Sequence, residues 1–233
     1  ISASDPDANT SLTYTLTSAK DSDLFTIGAK TGVIKFKTTP DHEMPRDSGS
    51  NNSINFSVQV SDGALVAVQE YSFDIVNRNE PPFFDTTTPS INDIGNLEEG
   101  NTQIASISAS DSDAQDSLTY SLINSVGAKD EGLISVNKKT GVVSFKVSPD
   151  YEKPIDVGSD NSINFSVQVS DGALIDVQEY SFAITNKNEA PVITTTSFSI
   201  SENNVIVGAI SASDVDSGTT LSYGLAAGAG SDE

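Results

Sequence analysis

The pentapeptide Ile-Ser-Ala-Ser-Asp occurs three times, beginning at Ile1, Ile107 and Ile210, and a second aspartate follows each copy at a fixed distance. The resulting pairs are Asp5/Asp7, Asp111/Asp113 and Asp214/Asp216, at spacings of 106 and 103 residues. A period of that length is one sandwich-sized domain, so the chain is a tandem array whose copies must share one fold. A second phrase, SINFSVQVSDGAL, recurs unchanged at Ser53 to Leu65 and Ser162 to Leu174, offset by 109 residues. The second repeat therefore carries three extra residues, expected as a loop insertion within Ser125 to Gly132.

Alternation with a period of two dominates the local pattern. In Ser162 to Val169, Ile163, Phe165, Val167 and Val169 share one face and Asn164, Ser166 and Gln168 the other, as in a half-buried antiparallel strand. LTYSL, GVVSFKV and QEYSFAI repeat the pattern, Lys138 to Gly141 and Ser170 to Ala173 read as turns, and no stretch has a convincing helical period. Further strands near Ile91 to Leu97 and Ile104 to Ala109 bring the repeat to about seven, the immunoglobulin-like count. Boundaries fall at NRNEPP (Asn77 to Pro82) and NKNEAP (Asn186 to Pro191), where proline cannot donate to a ladder. The expected organisation is 1–80, a repeat lacking its first strand; 81–189, a complete repeat; and 190–233, the start of a third. Both partial units should expose unpaired edges, and 190–233 should be the least stable segment.

Charge narrows the function classes. With 12 Lys+Arg against 33 Asp+Glu the formal net charge is −21, which disfavours nucleic acid and anionic membranes and favours cations. There is no cysteine, so neither disulfides nor thiolate-bound zinc can brace the chain. Calcium, which asks only for oxygen donors and is abundant outside cells, can replace them. The chain shows no leading Met, basic stretch or long apolar run, so it reads as a segment of a longer array without its own secretion signal or membrane span.

Each repeat carries acidic boxes at corresponding places. Repeat one has Asp5/Asp7, Asp41/Glu43, Asp62 and Glu80; repeat two has Glu99, Asp111/Asp113, Asp150/Glu152, Asp171 and Glu189; the last fragment has Glu202 and Asp214/Asp216. Paired carboxylates two residues apart in a loop can converge on one calcium ion, which takes six to eight oxygens at about 2.3–2.6 Å. Recurrence of every box lowers the weight of the plain alternative, a solvated loop carboxylate.

In order and type these boxes resemble the calcium motifs of cadherin domains, and in flavour the bacterial cadherin-like repeats of large surface adhesins. Glu99-Gly100-Asn101 and Glu202-Asn203-Asn204 resemble the strand-A Glu motif, and the aspartate pairs after ISAS resemble its DxD. Asp41-His42-Glu43 and Asp150-Tyr151-Glu152 resemble its DRE, Asp62 and Asp171 its later single Asp, and the two boundary phrases its DxNDNxP linker. The resemblance implies an all-β fold of tandem immunoglobulin-like (cadherin-type), seven-stranded Greek-key β-sandwiches, one complete and two partial. It also implies Ca2+ between successive repeats. One set is Glu99, Asp150, Glu152, Asn188, Glu189, Asp214 and Asp216. The other is Asp41, Glu43, Asn79, Glu80, Asp111, Asp113 and Asp171, while Asp5, Asp7 and Asp62 would face a preceding repeat. Both linkers are one residue shorter than the family's, which implies about two ions per junction rather than three.

The same resemblance implies a non-enzymatic, calcium-stiffened spacer outside the cell, with neighbouring repeats as direct partners and other cells or surface polysaccharide reached through distal domains. His42, the sole histidine, has Tyr151 as its counterpart, and with no cysteine no nucleophilic triad or zinc hydrolase can be assembled. A carbohydrate-binding module is the rival reading. Sugars need exposed aromatic platforms, and without Trp only Tyr151 and Phe83/Phe84 lie off the apolar strand faces.

Overall fold

The computed structural model of the chain describes residues 1–7, 11–18, 20–85, 95–113, 117–123 and 129–225. They fall into two compact units, Ile1–Glu80 with Ser112–Gln115, and Pro81–Asp111 with Asp116–Glu233.

In the first unit β1 (Thr13–Leu16), β4 (Ser53–Ser61) and β5 (Val66–Asp74) form an antiparallel sheet, and β2 (Phe25–Ile27) pairs with β3 (Ile34–Phe36). The second unit contains β6 (Phe83–Phe84), β7 (Leu97–Glu98), β8 (Gln103–Ser106), β9 (Ala109–Ser110), β10 (Thr119–Leu122), β11 (Ile134–Val136), β12 (Val142–Phe145), β13 (Ser162–Ser170) and β14 (Ile175–Thr185). Its two main sheets run β10-β13-β14-β7 and β11-β12-β8, with β6 and β9 as a short ribbon. A last ribbon joins β15 (Val192–Ile193) to β16 (Ala212–Ser213).

The apolar alternation supplies the core between the sheets. Ile163, Phe165, Val167 and Val169 are all buried, with Tyr180, Phe182 and Ile184 from β14 and Ile134, Val143 and Phe145 from the opposite sheet. The smaller core of the first unit is Tyr14, Phe25, Ile54, Phe56 and Val58. Several expectations are refined. Residues 91–94 and 125–128, on which part of the first strand and part of the insertion fall, lie outside the described residues. The strand expected over Ile104 to Ala109 is two strands, β8 and β9, separated at Ile107, whose N–H bonds to the Gly141 carbonyl at 3.0 Å. Gly141 sits at φ +66°, and a Cβ there would collide with the Ile107 carbonyl oxygen, which is why the turn ends in glycine. Short 3-10 turns at Lys20–Leu24 and Glu131–Leu133 are the helical segments among the described residues.

Buried aspartates brace the loops. Asp130, 2% exposed, accepts the N–H groups of Val157 (2.7 Å) and Asn164 (2.8 Å). Asp21 holds Ser48 and Asn55 in the same way at 2.7 and 2.8 Å. Asp156 accepts from Asp160 and Asn161, and Asp47 from Asn51 and Asn52, closing loops in which Ser159, Asn161, Ser50 and Asn52 adopt positive φ. A carboxylate collecting two backbone donors replaces the ladder bonds that such a loop cannot form.

The last segment is the least enclosed. Val205, Ile206 and Val207 are 95%, 79% and 56% exposed, and its ribbon strands are two residues long. Amide exchange in dilute solution should therefore be fastest over residues 196–210 and slowest along β13; uniform protection would contradict this.

Candidate metal centres

The acidic boxes are built on three local devices. In the aspartate pairs the first member turns the chain: Asp5 Oδ1 accepts the Asp7 N–H at 2.8 Å, and Asp214 Oδ1 accepts that of Asp216 at 3.0 Å. In two of the pairs the second aspartate anchors the linker. Asp216 accepts Asn186 Nδ2 (2.9 Å) and the Glu189 N–H (2.8 Å). Asp113 accepts Asn77 Nδ2 (2.7 Å) and the Glu80 N–H (3.0 Å). Third, Glu99, 6% exposed, takes the Tyr151 N–H (2.7 Å) and the Lys187 N–H (2.8 Å) on its two oxygens.

Among the described residues these anchors gather carboxylates into three groups whose candidate donor atoms lie within 4.8 Å of one another. They are Glu43, Glu80 and Asp113; Glu152, Glu189 and Asp216; and Glu99, Asp150 and Glu152. The first two are the same constellation built twice from corresponding residues, and Glu152 is shared between the last two. Glu80 Oε2 and Glu189 Oε2 are buried and without a hydrogen-bond donor among the described residues. A buried carboxylate oxygen facing other carboxylates is costly unless a cation meets it.

The electrostatics follow from this crowding. Burial, then repulsion from Glu43, Asp113 and Asp41, pushes the Glu80 carboxyl above the ordinary range. Burial, then Glu99, Asp216, Glu152 and Asp150, does the same to Glu189. Glu152 is raised by burial and by Glu99, Asp216 and Asp150, outweighing its own backbone N–H. Asp216 is held low by Asn186 and the Glu189 N–H, so it stays ionised as the fixed negative point of its group. Asp150 is lowered chiefly by Lys153, whose Nζ stands 2.9 Å from Oδ2. His42 Nδ1 lies 3.0 Å from Glu43 Oε1 and orients that carboxylate, with the proton assignment tautomer-dependent. Donors of this kind, all oxygen and mostly carboxylate, fit a hard divalent cation rather than a thiophilic one.

Other residues singled out from the sequence are placed differently. Asp62 Oδ1 accepts the Ala64 and Leu65 N–H groups at 2.7 and 2.6 Å, and Asp171 Oδ1 those of Ala173 and Leu174 at 2.6 and 2.6 Å; both shape the β-hairpin turn. Those donors, Leu65 first, hold the Asp62 carboxyl low. Asp41 turns its own loop by accepting from Glu43 and Met44. Asn79 and Asn188 donate their side-chain amides to the backbone carbonyls of Glu80 and Glu189. Asp5, Asp7, Asp111 and Asp214 belong to none of the three groups, and Glu202 is exposed. Asn77 and Asn186 belong to the linker phrases singled out from the sequence but not to the expected site residues, although their recurrence at an offset of 109 residues was a usable signal. Of the aromatic exceptions, Phe84 is a core residue because β6 pairs with β9; Phe83 and Tyr151 are 50% and 37% exposed.

Comparison with known proteins bears on this geometry. Residues 79–181 match the family model "Bacterial Ig domain". Human CDH23 EC21-23 superposes with a TM-score of 0.55 at 18% identity, covering 90% of this chain and 70% of that one. Drosophila N-cadherin EC1-4 gives 0.53 at 16%, covering 90% and 51%, and human Protocadherin-24 EC1-2 gives 0.51 at 17%, covering 78% and 84%. No curated protein sequence matches. The chain thus folds as tandem immunoglobulin-like β-sandwiches whose structural neighbours are cadherin extracellular domains, and its residues 79–181 match the bacterial Ig domain family.

Proposed function

We propose that the chain is a calcium-binding, non-catalytic spacer of a bacterial surface adhesin, working outside the cell, in which cations held by the carboxylate groups stiffen successive repeats. The observation that carries this reading is the twofold occurrence of one constellation, Glu43/Glu80/Asp113 and Glu152/Glu189/Asp216, each with a buried glutamate oxygen lacking a donor among the described residues. Each group draws on two consecutive repeats of the sequence and on the linker phrase between them. With like charges so close, the cation-free linker is pushed open, and a divalent ion turns that repulsion into a cross-link. Extracellular modules of this type bind calcium at about 10⁻⁴–10⁻³ M, so stiffness would follow ambient calcium.

Glu189→Gln separates this reading from a purely structural one. Removing a charge from a crowded group should raise the melting temperature of the second unit in EDTA and weaken calcium uptake there about tenfold. For the parent chain, a hundredfold excess of free calcium over Kd stabilises by about 2.7 kcal/mol, a shift of several degrees. Small-angle scattering should show a longer, straighter particle in calcium than in EDTA. No heat of calcium binding in calorimetry, or identical scattering profiles, would overturn the proposal.

A further inference from the structure

Charge is sorted between the two sheets of each unit. Residues 25–40, which hold β2 and β3, contain Lys30, Lys35 and Lys37 and no carboxylate. Residues 134–149, which hold β11 and β12, contain Lys138, Lys139 and Lys146 and again no carboxylate. Half of the 12 basic side chains thus lie in two stretches that have none of the 33 acidic ones, a separation hidden by the net charge of −21. The long hairpins of the opposing sheets are the reverse. Residues 53–74 carry Asp62, Glu70 and Asp74, residues 162–185 carry Asp171, Asp176 and Glu179, and neither stretch has a lysine or arginine.

The lysines are positioned without being neutralised. All six are exposed, and the ion pairs among the described residues fall on His42, Lys129, Lys153 and Lys187 instead. Lys146 Nζ donates to the Gly132 carbonyl at 2.7 Å, and Lys37 Nζ to the corresponding carbonyl of Asp23, which fixes each ammonium group against the surface and leaves its charge uncompensated. Asn137 Oδ1 closes the Lys138-Lys139 turn by accepting the Lys139 and Thr140 N–H groups at 3.0 and 3.1 Å, so the turn does not depend on the lysine side chains. The opposing faces join negative charge to apolar surface. Ile175, Val177 and Glu179 point away from the core side of β14, which bears Tyr180 and Phe182, and Ile175 and Val177 are 53% and 41% exposed. Val66, Val68 and Glu70 repeat this on β5, the two valines 61% and 57% exposed. Lys129 offsets Glu179 from an adjoining loop, whereas Glu70 and Asp74 have no ion-pair partner among the described residues.

We propose that the lysine-bearing hairpin faces dock on the acidic and apolar hairpin faces of a second copy of this chain, so that chains associate side by side, sheet against sheet. Two molecules of charge −21 repel as wholes, but at physiological salt that repulsion is screened beyond about 8 Å, and contact is decided by the groups within reach. Of the possible juxtapositions, lysine face on carboxylate face is the attractive one, while like on like is repulsive, so charge fixes which surfaces meet. Val33 and Val147, exposed beside the lysines, give the docked face apolar contacts for the valines and isoleucine opposite. A polyanion would engage the lysine faces alone and leave the acidic faces without a part in binding. Donor and acceptor are different surfaces of one molecule, so the contact is heterologous and extends beyond a closed pair.

Charge exchange tests this on the full chain in saturating calcium, by sedimentation over a range of concentrations. One variant carries Lys30→Glu, Lys35→Glu, Lys138→Glu and Lys139→Glu; the other carries Glu70→Lys, Asp74→Lys and Glu179→Gln. The parent's average mass should rise with concentration, and each variant alone should associate about tenfold more weakly. An equimolar mixture of the two should recover association, because the acidic face of the first meets the basic face of the second. The second variant is the sharper test: it is less negative than the parent, so if net repulsion governed contact it would associate more strongly. A parent mass that stays that of the single chain, a second variant that associates at least as well as the parent, or a mixture no better than its components would overturn the proposal. So would a monomeric parent retained on immobilised heparin through the four substituted lysines, which would mark a polyanion as the occupant. Melting curves verify that both variants fold. None of the substituted residues belongs to the three carboxylate groups, so calcium uptake by calorimetry should match the parent and is judged independently.

Discussion

Phe165→Ala is expected to lower the stability of the second unit by about 4 kcal/mol, the middle of the range for emptying a fully buried aromatic site. Phe165 is 0% exposed, stacks on Tyr180 at 5.3 Å between ring centroids and meets Phe182 edge-on at 6.3 Å, so its removal also breaks two oriented ring contacts. The repeats provide an internal control. Phe73 and Phe182 are corresponding residues, yet Phe182 is 7% exposed in the main core cluster while Phe73 is 40% exposed. Phe182→Ala should cost about 3 kcal/mol and Phe73→Ala about 1, because a half-exposed ring has less burial to lose. Peptide-resolved hydrogen exchange in urea reads each unit separately. Equal losses at the two sites would refute this account of how burial sets the cost of removing the ring.

The second large effect is expected at Asp130. Replacing it with alanine leaves the part-buried Val157 and Asn164 N–H groups without their acceptor and should cost about 3 kcal/mol. Asn, which keeps one acceptor oxygen, should cost clearly less, and an alanine variant within about 1 kcal/mol of the parent would rule out the clamp. The counterpart Asp21 adds a pH signature. Burial is its largest single influence and raises its carboxyl, but the Ser48 and Asn55 N–H groups together outweigh burial and hold it below the ordinary value of 3.8. A carboxylate depressed in the folded state stabilises fully above its unfolded value, and that stability is lost as pH falls through the folded value. The first unit should therefore weaken as acid is added below about pH 4, and Asp21→Asn should flatten that slope.

Much of the fold was legible because strand burial has a period of two. Ile163, Phe165, Val167 and Val169 could be assigned to one face without knowing what they packed against, and that face is the buried one. The turns were legible because glycine, asparagine and aspartate are confined to backbone shapes that few other residues accept. The acidic boxes were legible only as a set. Which members converge depends on how each loop folds: Asp113 and Asp216 anchor linkers, whereas Asp62 and Asp171 in an equally acidic setting close hairpin turns on themselves. Asp130 and Asp156 sit in a polar loop context, and nothing local distinguishes a buried clamp from a solvated carboxylate.

The sequence alone determined the repeat length, the strand periodicity and the places where charge accumulates, since each is a property of residues near one another along the chain. Only the tertiary structure decided which carboxylates face each other across loops as far apart as Glu43, Glu80 and Asp113, and which aspartates are spent on backbone donors. It also decided that equivalent strands differ in burial. Those outcomes depend on distances between groups remote in sequence, so corresponding residues of two repeats can have different surroundings.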